Sequence, residues 1–545
     1  MTAVCEPKAV SANPVFPCFV RRCLILLASI TCLTGCTLVG PDYRQPSAKL
    51  SDQWLEAGDP RVKMDPASYR EWWKAFNDPV LDHLIQTAYQ QNLSLQAAGV
   101  RVFEARAQLG IAVGEFFPQV QQGSGAFNYN RVSQRSAIAA QPGDIRDVGL
   151  AYSQVQFGLG ASWELDFWGK YRRAIESADA SLFGSVAAYD SALVTLTGDV
   201  ASNYVLIRTL EDRLKIAGDN LEIQKESLQI AQARFQGGAT SERDVQQALT
   251  QLNSTEATIP QLEIQLRQTK NALCTLLGLP PSDLQDTLSG ASGIPMAPLE
   301  VAVGIPAELL RRRPDIRSAE YQAAAQCAQI GVAKAELYPA FSLSGNFGFL
   351  ASNSGNFAIG DVTSWRSRSG AIGPAFQWNV LNYGQITNQV RLQDALFQET
   401  SVNYQNTVLQ AQQEVENGLV GFLLAQERVK SLILAVAAAK RTVDLAVIQY
   451  REGATDYTTV LTAQQALLSQ QDSLADSQGG VPQNLIAIYR SLGGGWEIRE
   501  GQGFLPDETI EVMEKRTNWG NLLTPAAVEL PSPEKRESLI RAPDW

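Results

Sequence analysis

The chain has 545 residues, 45% apolar and 19% charged, enough to bury a large core, and its net charge of −11 argues against nucleic acid as a partner. Its single histidine, His83, excludes His-based triads and clustered His metal sites, and is expected on a helix surface. With no Walker A or dinucleotide glycine loop, and carboxylates scattered at helix-surface spacing, no catalytic residue, metal or cofactor is expected and the chain does not read as an enzyme.

At the N-terminus, Arg21-Arg22 precede the apolar run Cys23 to Leu33, and Leu33-Thr34-Gly35-Cys36 closes it. Eleven apolar residues are too few to span a bilayer, so residues 1–35 read as a signal peptide. Small residues followed by Cys make a bacterial lipobox, which marks Cys36 as the acylated, palmitate-bearing first residue of a lipoprotein. Thr37 in place of Asp gives no sign of inner-membrane retention. Residues 1–35 carry Glu6 against Lys8, Arg21 and Arg22, so the mature chain is more acidic still. Only Cys274 and Cys327 then remain as thiols; they either pair or sit as two small buried residues in helix seams.

Val39-Gly40-Pro41-Asp42-Tyr43 follow, then Glu71-Trp72-Trp73-Lys74-Ala75-Phe76-Asn77-Asp78-Pro79, then Leu81 to Ala107 with Asn92 in its middle. This combination resembles the outer-membrane efflux proteins of the TolC-like superfamily, specifically its NodT-type lipoproteins. The likeness runs from Cys36 to Trp496.

Asp82 to Glu115 reads as one helix, stopped by Phe116-Phe117-Pro118. A strand pair comes next. In its second member Val155, Phe157, Leu159, Ala161, Trp163, Leu165 and Phe167 alternate with Gln154, Gln156, Gly158, Gly160, Ser162, Glu164 and Asp166. Its first holds Val120 and Phe127 to Asn130, with Ser133 to Gly149 as a polar loop. Lys170 to Phe235 has no proline and, as helix, spans about 100 Å. Its seam is Leu193, Leu196, Val200, Asn203, Ile207, Leu210, Leu214, Ala217, Leu221, Gln224, Leu228, Ala231 and Phe235, a heptad pattern. A returning helix covers Ser241 to Leu277, and with the helix before the hairpin it is expected to stack end to end beside the long one. Pro260 should bend it, as Gly479-Gly480-Val481-Pro482 should bend its copy.

All of this is written twice. At an offset of 215 the seam becomes Val408, Ala411, Val415, Gly418, Phe422, Ala425, Val429, Leu432, Val436, Ala439, Val443, Ala446 and Tyr450. Trp163 and Gly169 pair with Trp378 and Gly384, Gly238-Ala239-Thr240 with Gly453-Ala454-Thr455, and Leu277-Gly278 with Leu492-Gly493. The second hairpin holds Phe341, Leu343, Phe347 and Phe349, then Ile372, Phe376, Trp378 and Val380. The organisation expected is an N-terminal anchor and equatorial segment over 36–80; a first repeat over 81–278 with hairpin 118–167, long helix 170–235 and return helix 241–277; and an equatorial linker over 279–305. A second repeat covers 306–493, with hairpin 339–382, long helix 385–450 and return helix 456–492; an equatorial, partly disordered tail takes 494–545. Gly493-Gly494-Gly495 reads as a helix stop.

Each hairpin has one apolar and one polar, small-residue face, which suits a membrane barrel. Four strands cannot close one, and lipid tolerates no open edge, so several copies must share it. Three give twelve strands, the number the resemblance also implies; two give eight, whose interior side chains would fill. The fold class expected is mostly α with membrane β: a trimeric 12-stranded β-barrel continued by a long α-helical coiled-coil barrel, built by internal tandem duplication.

From the resemblance, the implied function is the outer-membrane duct of a tripartite exporter in a Gram-negative bacterium. The implied partners are a periplasmic adaptor, an inner-membrane pump of the resistance-nodulation-division type and outer-membrane lipid. The other reading is a lipid-anchored coiled-coil structural protein or adhesin without a pore. The helix tips at Gly238, Ala239, Thr240, Ser241 and at Gly453, Ala454, Thr455 are candidate docking points for the adaptor. The resemblance places a closing hydrogen bond on Tyr450 and Asp244, with Asp456 a further gate candidate. Ser241-Glu242-Arg243-Asp244 also reads as a capping box with Asp in the Glu place, and Asp456 as an N-cap, so gate and cap both stand. The acidic ring that some relatives carry falls here on Thr459 and Thr462.

Overall fold

The computed structural model describes residues 38–64, 69–131, 133, 151–290, 293–353 and 358–523. Cys36, the signal segment and the last part of the tail lie outside them. The chain divides into two compact units: one takes the residues up to Asp42 with Gly114–Ala174 and Ala328–Gln393, the other Tyr43–Val113, Ile175–Cys327 and the chain from Asp394 on.

In chain order the elements are β1 (Val62–Lys63), α1 (Pro79–Gln91), α2 (Leu93–Gly114), β2 (Val120–Arg131), β3 (Ala151–Leu165), α3 (Lys170–Gln236) and α4 (Glu242–Leu276). Then come β4 (Val301–Ala302), α5 (Pro314–Ala335), β5 (Ala340–Ser352), β6 (Arg368–Gln377), α6 (Gln385–Arg451), α7 (Tyr457–Ser491) and α8 (Asp507–Arg516). The duplication is met element for element. α2 and α5 have 22 residues each, α3 and α6 have 67, and α4 and α7 have 35.

In the first unit the two hairpins form one antiparallel sheet in the order β2-β3-β5-β6, leaving β2 and β6 as its edges. The register puts Phe157 opposite Phe349, Leu159 opposite Phe347 and Ala161 opposite Gly345, so the apolar sets of both copies share a face. On the polar face Gly158 opposes Gly348, and a Cβ on Gly158 would sit 2.7 Å from Phe347 O, so only glycine fits there. The last strand is shorter than the alternation predicts. Trp378 and Val380 lie beyond it, because Trp378 Nε1 turns back to Leu337 O at 3.0 Å and the Val380 amide closes onto Trp378 O. The segment Val39 to Asp42 is clamped in this unit: the Val39 amide donates to Trp168 O at 3.1 Å, and buried Arg173 pairs with Asp42 at 2.7 Å.

In the second unit the Trp-rich segment is core. Trp72 stacks on Tyr489 at 5.3 Å, and Trp54, Tyr69, Trp73 and Phe76 are buried beside it. Asp78 caps α1 by accepting from the amides of Val80 and Leu81, and its other oxygen takes the Tyr204 hydroxyl at 2.7 Å, with Pro79 starting the helix. The tri-glycine does more than stop α7. Gly493 and Gly495 have positive φ, and a Cβ on Gly494 would meet Trp72 Cδ1 at 3.0 Å, so the run also seats the indole. The non-repeated segments join in this unit: β1 pairs in parallel with β4, and Phe504, Leu505, Met513 and Leu523 enter the same core.

Two expectations are corrected. Asp82 to Glu115 is not one helix: Asn92 breaks it, its Oδ1 capping the Leu95 amide while its Nδ2 donates to Leu276 O at 2.9 Å. The end-to-end junction therefore sits at the α1–α2 break, where Asn92 reaches Leu276 O and Gly278 packs on Gln91, and in the second copy just ahead of α5, where Arg313 donates to Ser491 O. Second, neither proline interrupts its helix. α4 runs through Pro260 and α7 through Pro482; two residues further on, Asn484 Nδ2 donates to Gly480 O at 2.8 Å. Gly479 is there because a Cβ would collide with Thr209 of α3; Gly418, the gap in the second seam, likewise faces Ile488 at 2.8 Å. Of the two states the sequence left open for Cys274 and Cys327, the structure shows the second: both are buried and no disulfide joins them. His83 is exposed on α1.

Candidate functional site at the helix tips

Both tips close by the same local chemistry. At the first, the Gly238 amide returns to Phe235 O and the Ala239 amide to Arg234 O; at the second, Gly453 returns to Tyr450 O and Ala454 to Gln449 O. Gly238 (φ 72°) and Gly453 (φ 79°) supply the left-handed residue that such a helix end needs. Gly238, Ala239, Ser241, Gly453 and Ala454 are exposed, while Thr240 and Thr455 are half-buried.

Behind the loops lies a small core of Ala231, Val245, Ala248, Val443, Ala446, Tyr457, Val460, Ala463 and Leu467. Within it the chain brings Asp244 and Tyr450 together, 3% and 2% exposed. The Tyr450 hydroxyl donates to Asp244 Oδ2 at 3.3 Å, and the Thr240 hydroxyl donates to the same oxygen. Arg243 Nη2 lies 3.6 Å from the other oxygen. The Arg234 guanidinium stands 4.6 Å over the Tyr450 ring, and Tyr457 meets that ring edge-on at 5.3 Å. Burial pushes the Tyr450 phenol above its ordinary range; the Thr240 contact opposes this, the Asp244 charge adds to it, and Arg234 opposes it. The phenol is therefore a neutral donor at neutral pH.

The capping box is absent. Ser241 occupies the N-cap position with no side-chain cap bond, and the Asp244 carboxylate is engaged by Tyr450 and Thr240. Asp456 is an N-cap: its Oδ1 accepts from the Thr459 amide at 3.3 Å and from the Thr459 hydroxyl at 3.1 Å. Thr462 is exposed and bonds back to Thr458 O. Arg234 and Tyr457 escaped the sequence reading, and Thr240, read there as a docking residue, also bonds to Asp244. The signal available was the offset of 215, which pairs Thr240 with Thr455 in both copies but sets Arg234 against Gln449 and Tyr457 against Glu242. Those unlike pairs mark where the two tips are built to meet rather than to match.

The family model described as outer membrane efflux protein matches residues 84–279 and 305–494, which are the two copies. The chain is 32% identical over 477 residues to Nodulation protein T of Rhizobium leguminosarum bv. trifolii, covering 87% of this chain and 96% of the relative. It is 33% identical over 432 residues to the pyoverdine export outer membrane protein OpmQ of Pseudomonas putida, covering 78% and 88%. The solved outer-membrane channel OprN superposes with a TM-score of 0.77 at 33% identity, covering 84% of this chain and 99% of that one. With a model matched across both repeats and near-full-length relatives, the chain belongs to the outer membrane efflux protein family.

Proposed function

We propose that the protein is the outer-membrane exit duct of a tripartite efflux system, passing small molecules received from a periplasmic adaptor and an inner-membrane pump of the resistance-nodulation-division type. The observation that carries this is the sheet: four strands, one apolar face, and two edges, β2 and β6, with no partner strand among the described residues. A hydrogen-bonding edge left open in lipid costs several kcal/mol per group, so β6 of one copy must pair with β2 of the next. Three copies make a barrel wide enough to conduct. α6 supports the same reading, since it keeps Leu409, Val420, Leu424, Leu434, Leu445 and Ile448 exposed in the single chain, a seam suited to another copy.

In this reading Cys36 adds a lipid anchor beside the clamp at Val39, residues 36–80 and 279–305 pack with the tail as an equatorial layer, and the tips at Gly238 to Ser241 and Gly453 to Thr455 form the entrance where the adaptor docks. The duct needs no cofactor, because the pump supplies the energy. Mass measurement in detergent should give three protomers, planar bilayers should show discrete channels, and labelled palmitate should appear on the wild type and vanish in Cys36→Ser. A monomer without conductance would refute the duct, and label persisting in the mutant would refute the anchor.

A further inference from the structure

On the apolar face of the sheet, small residues line up across the strands. Ala161 opposes Gly345, and Gly123 opposes Leu159, itself opposite Phe347, which faces Gly370. The result is a trough of about 880 Å³ with Leu159, Trp163, Leu343, Phe347 and Ile372 as walls. At one end it continues into an aromatic ladder. Phe157 stacks on Phe349 at 5.4 Å, and Phe347 and Phe349 both reach Trp365, at 6.3 and 6.4 Å.

Trp365 is 64% exposed and carries a cation: the Arg368 guanidinium lies 5.1 Å over its ring, and Arg368 Nη1 donates to its carbonyl at 2.8 Å. Arg368 faces Phe349 across the β5–β6 pair, on the same side as the trough, and Arg366 stands in the short turn beside it. Among the described residues neither arginine forms an ion pair, in a chain whose net charge is −11. From Leu343 to Phe349 the track runs about 20 Å along the strand. β6 starts at Arg368 and leads toward α6, so the arginines stand at the end of the sheet away from the helices.

We propose that this track binds a phosphorylated lipid of the outer leaflet, one acyl chain in the trough and its phosphate on Arg366 and Arg368. The inference rests on the outer-membrane reading above, which makes the arginine end the external one. Each part suits one part of the ligand. The trough offers apolar walls over a floor of glycine and alanine, the exposed indole sits at the interface between apolar and polar regions, and two guanidinium forks match phosphate oxygens. An ordinary lipid-facing strand carries the first two, since aromatic girdles flank the apolar band of such barrels, but has no need of the two guanidinium forks.

The test uses the full-length protein in mild detergent, titrated with bis-phosphorylated lipid A and followed by native mass spectrometry, with dephosphorylated lipid A and inorganic phosphate as comparison probes. The wild type should prefer the phosphorylated form, and Arg366→Gln with Arg368→Gln should weaken it about a hundredfold, tenfold for each charge-assisted contact. Arg366→Lys with Arg368→Lys should recover part of that. Ala161→Phe, which fills the trough, should weaken both lipids while leaving the preference between them. Equal affinity of wild type and the double Gln variant, or displacement of the lipid by millimolar inorganic phosphate, would overturn the proposal. The same samples are recorded in planar bilayers: a conducting trimer without phosphate preference refutes the lipid site alone, whereas absence of channels refutes the membrane reading and the site with it.

Discussion

The Tyr450–Asp244 contact separates a gate from a merely structural bond, and the double variant Tyr450→Phe with Asp244→Asn isolates it. The phenylalanine ring keeps its place under Arg234 and against Tyr457, and the asparagine keeps an acceptor for Thr240, so packing is preserved while the phenol–carboxylate bond is lost. Bonds to a charged group contribute about 1.5–3 kcal/mol, and the 3.3 Å separation puts this one at the lower end. Three copies in a trimer then hold the tips with roughly 4–5 kcal/mol, a bias of about a thousandfold toward the closed form. Single-channel recording should show raised conductance in the double variant, while thermal unfolding of the helical unit moves little. Closed-level currents equal to the wild type would refute the gate. A large loss of stability with unchanged currents would make the contact structural.

On the sheet, Phe157→Arg or Leu159→Arg should cost up to ~2–4 kcal/mol near the bilayer midplane, read as loss of the heat-resistant oligomer, whereas Gln156→Arg or Ser162→Arg on the polar face should be milder; equal damage on both faces would refute the assignment of the faces. Glu320 gives a pH test in the helical unit. Burial raises its carboxyl above the ordinary value of 4.5, against the lowering influence of Arg317 and of Gln45, which donates to it at 3.1 Å. A raised folded-state value means a contribution to stability that is full below pH 4.5 and lost as pH rises through the folded value. Glu320→Gln should therefore flatten the decline in Tm above that pH, and an unchanged slope would show that another group sets it.

The long helices, both hairpins and the duplication were legible because each is a period sustained over many residues: seven in the seams, two in the strands, 215 in the repeat. The errors fall where one side chain overrides a period. Asn92 stays apolar-compatible by spacing, yet its amide finds Leu276 O and ends the helix. Pro482 and Gly479 look like breakers, but α7 runs through both, and Gly479 is required because Thr209 packs against it. Trp378 fits the alternation and leaves the strand for Leu337 O. At the tips, Asp244 and Tyr450 were named by resemblance and the chain joins them, but Arg234 and Thr240 complete the knot through contacts 200 or more residues from their partners or around a loop, which no local pattern encodes.

The tip core is cut off from the main core of the helical unit, and that separation gives its bonds their leverage. Between them α3, α4 and α7 bury a polar layer: Asn220 donates to Gln471 at 2.7 Å, Gln464 to the Ser227 hydroxyl at 2.6 Å and Gln465 to Gln251 at 2.9 Å. Gln224, in the seam at 1% exposure, leaves both amide atoms without a partner among the described residues. Each such buried atom costs about 1–3 kcal/mol, and the tip core beyond the layer is largely alanine and valine, which bury little area per residue. Local opening of the tips is therefore cheap relative to global unfolding, and a few hydrogen bonds decide it. Gln224→Met, close in volume and without the amide, should join the two cores, raise Tm and reduce opening in the Tyr450→Phe and Asp244→Asn background. A fall in Tm would show instead that the Gln224 amide is satisfied by a neighbouring copy, and the layer would then be part of the trimer contact rather than a soft joint.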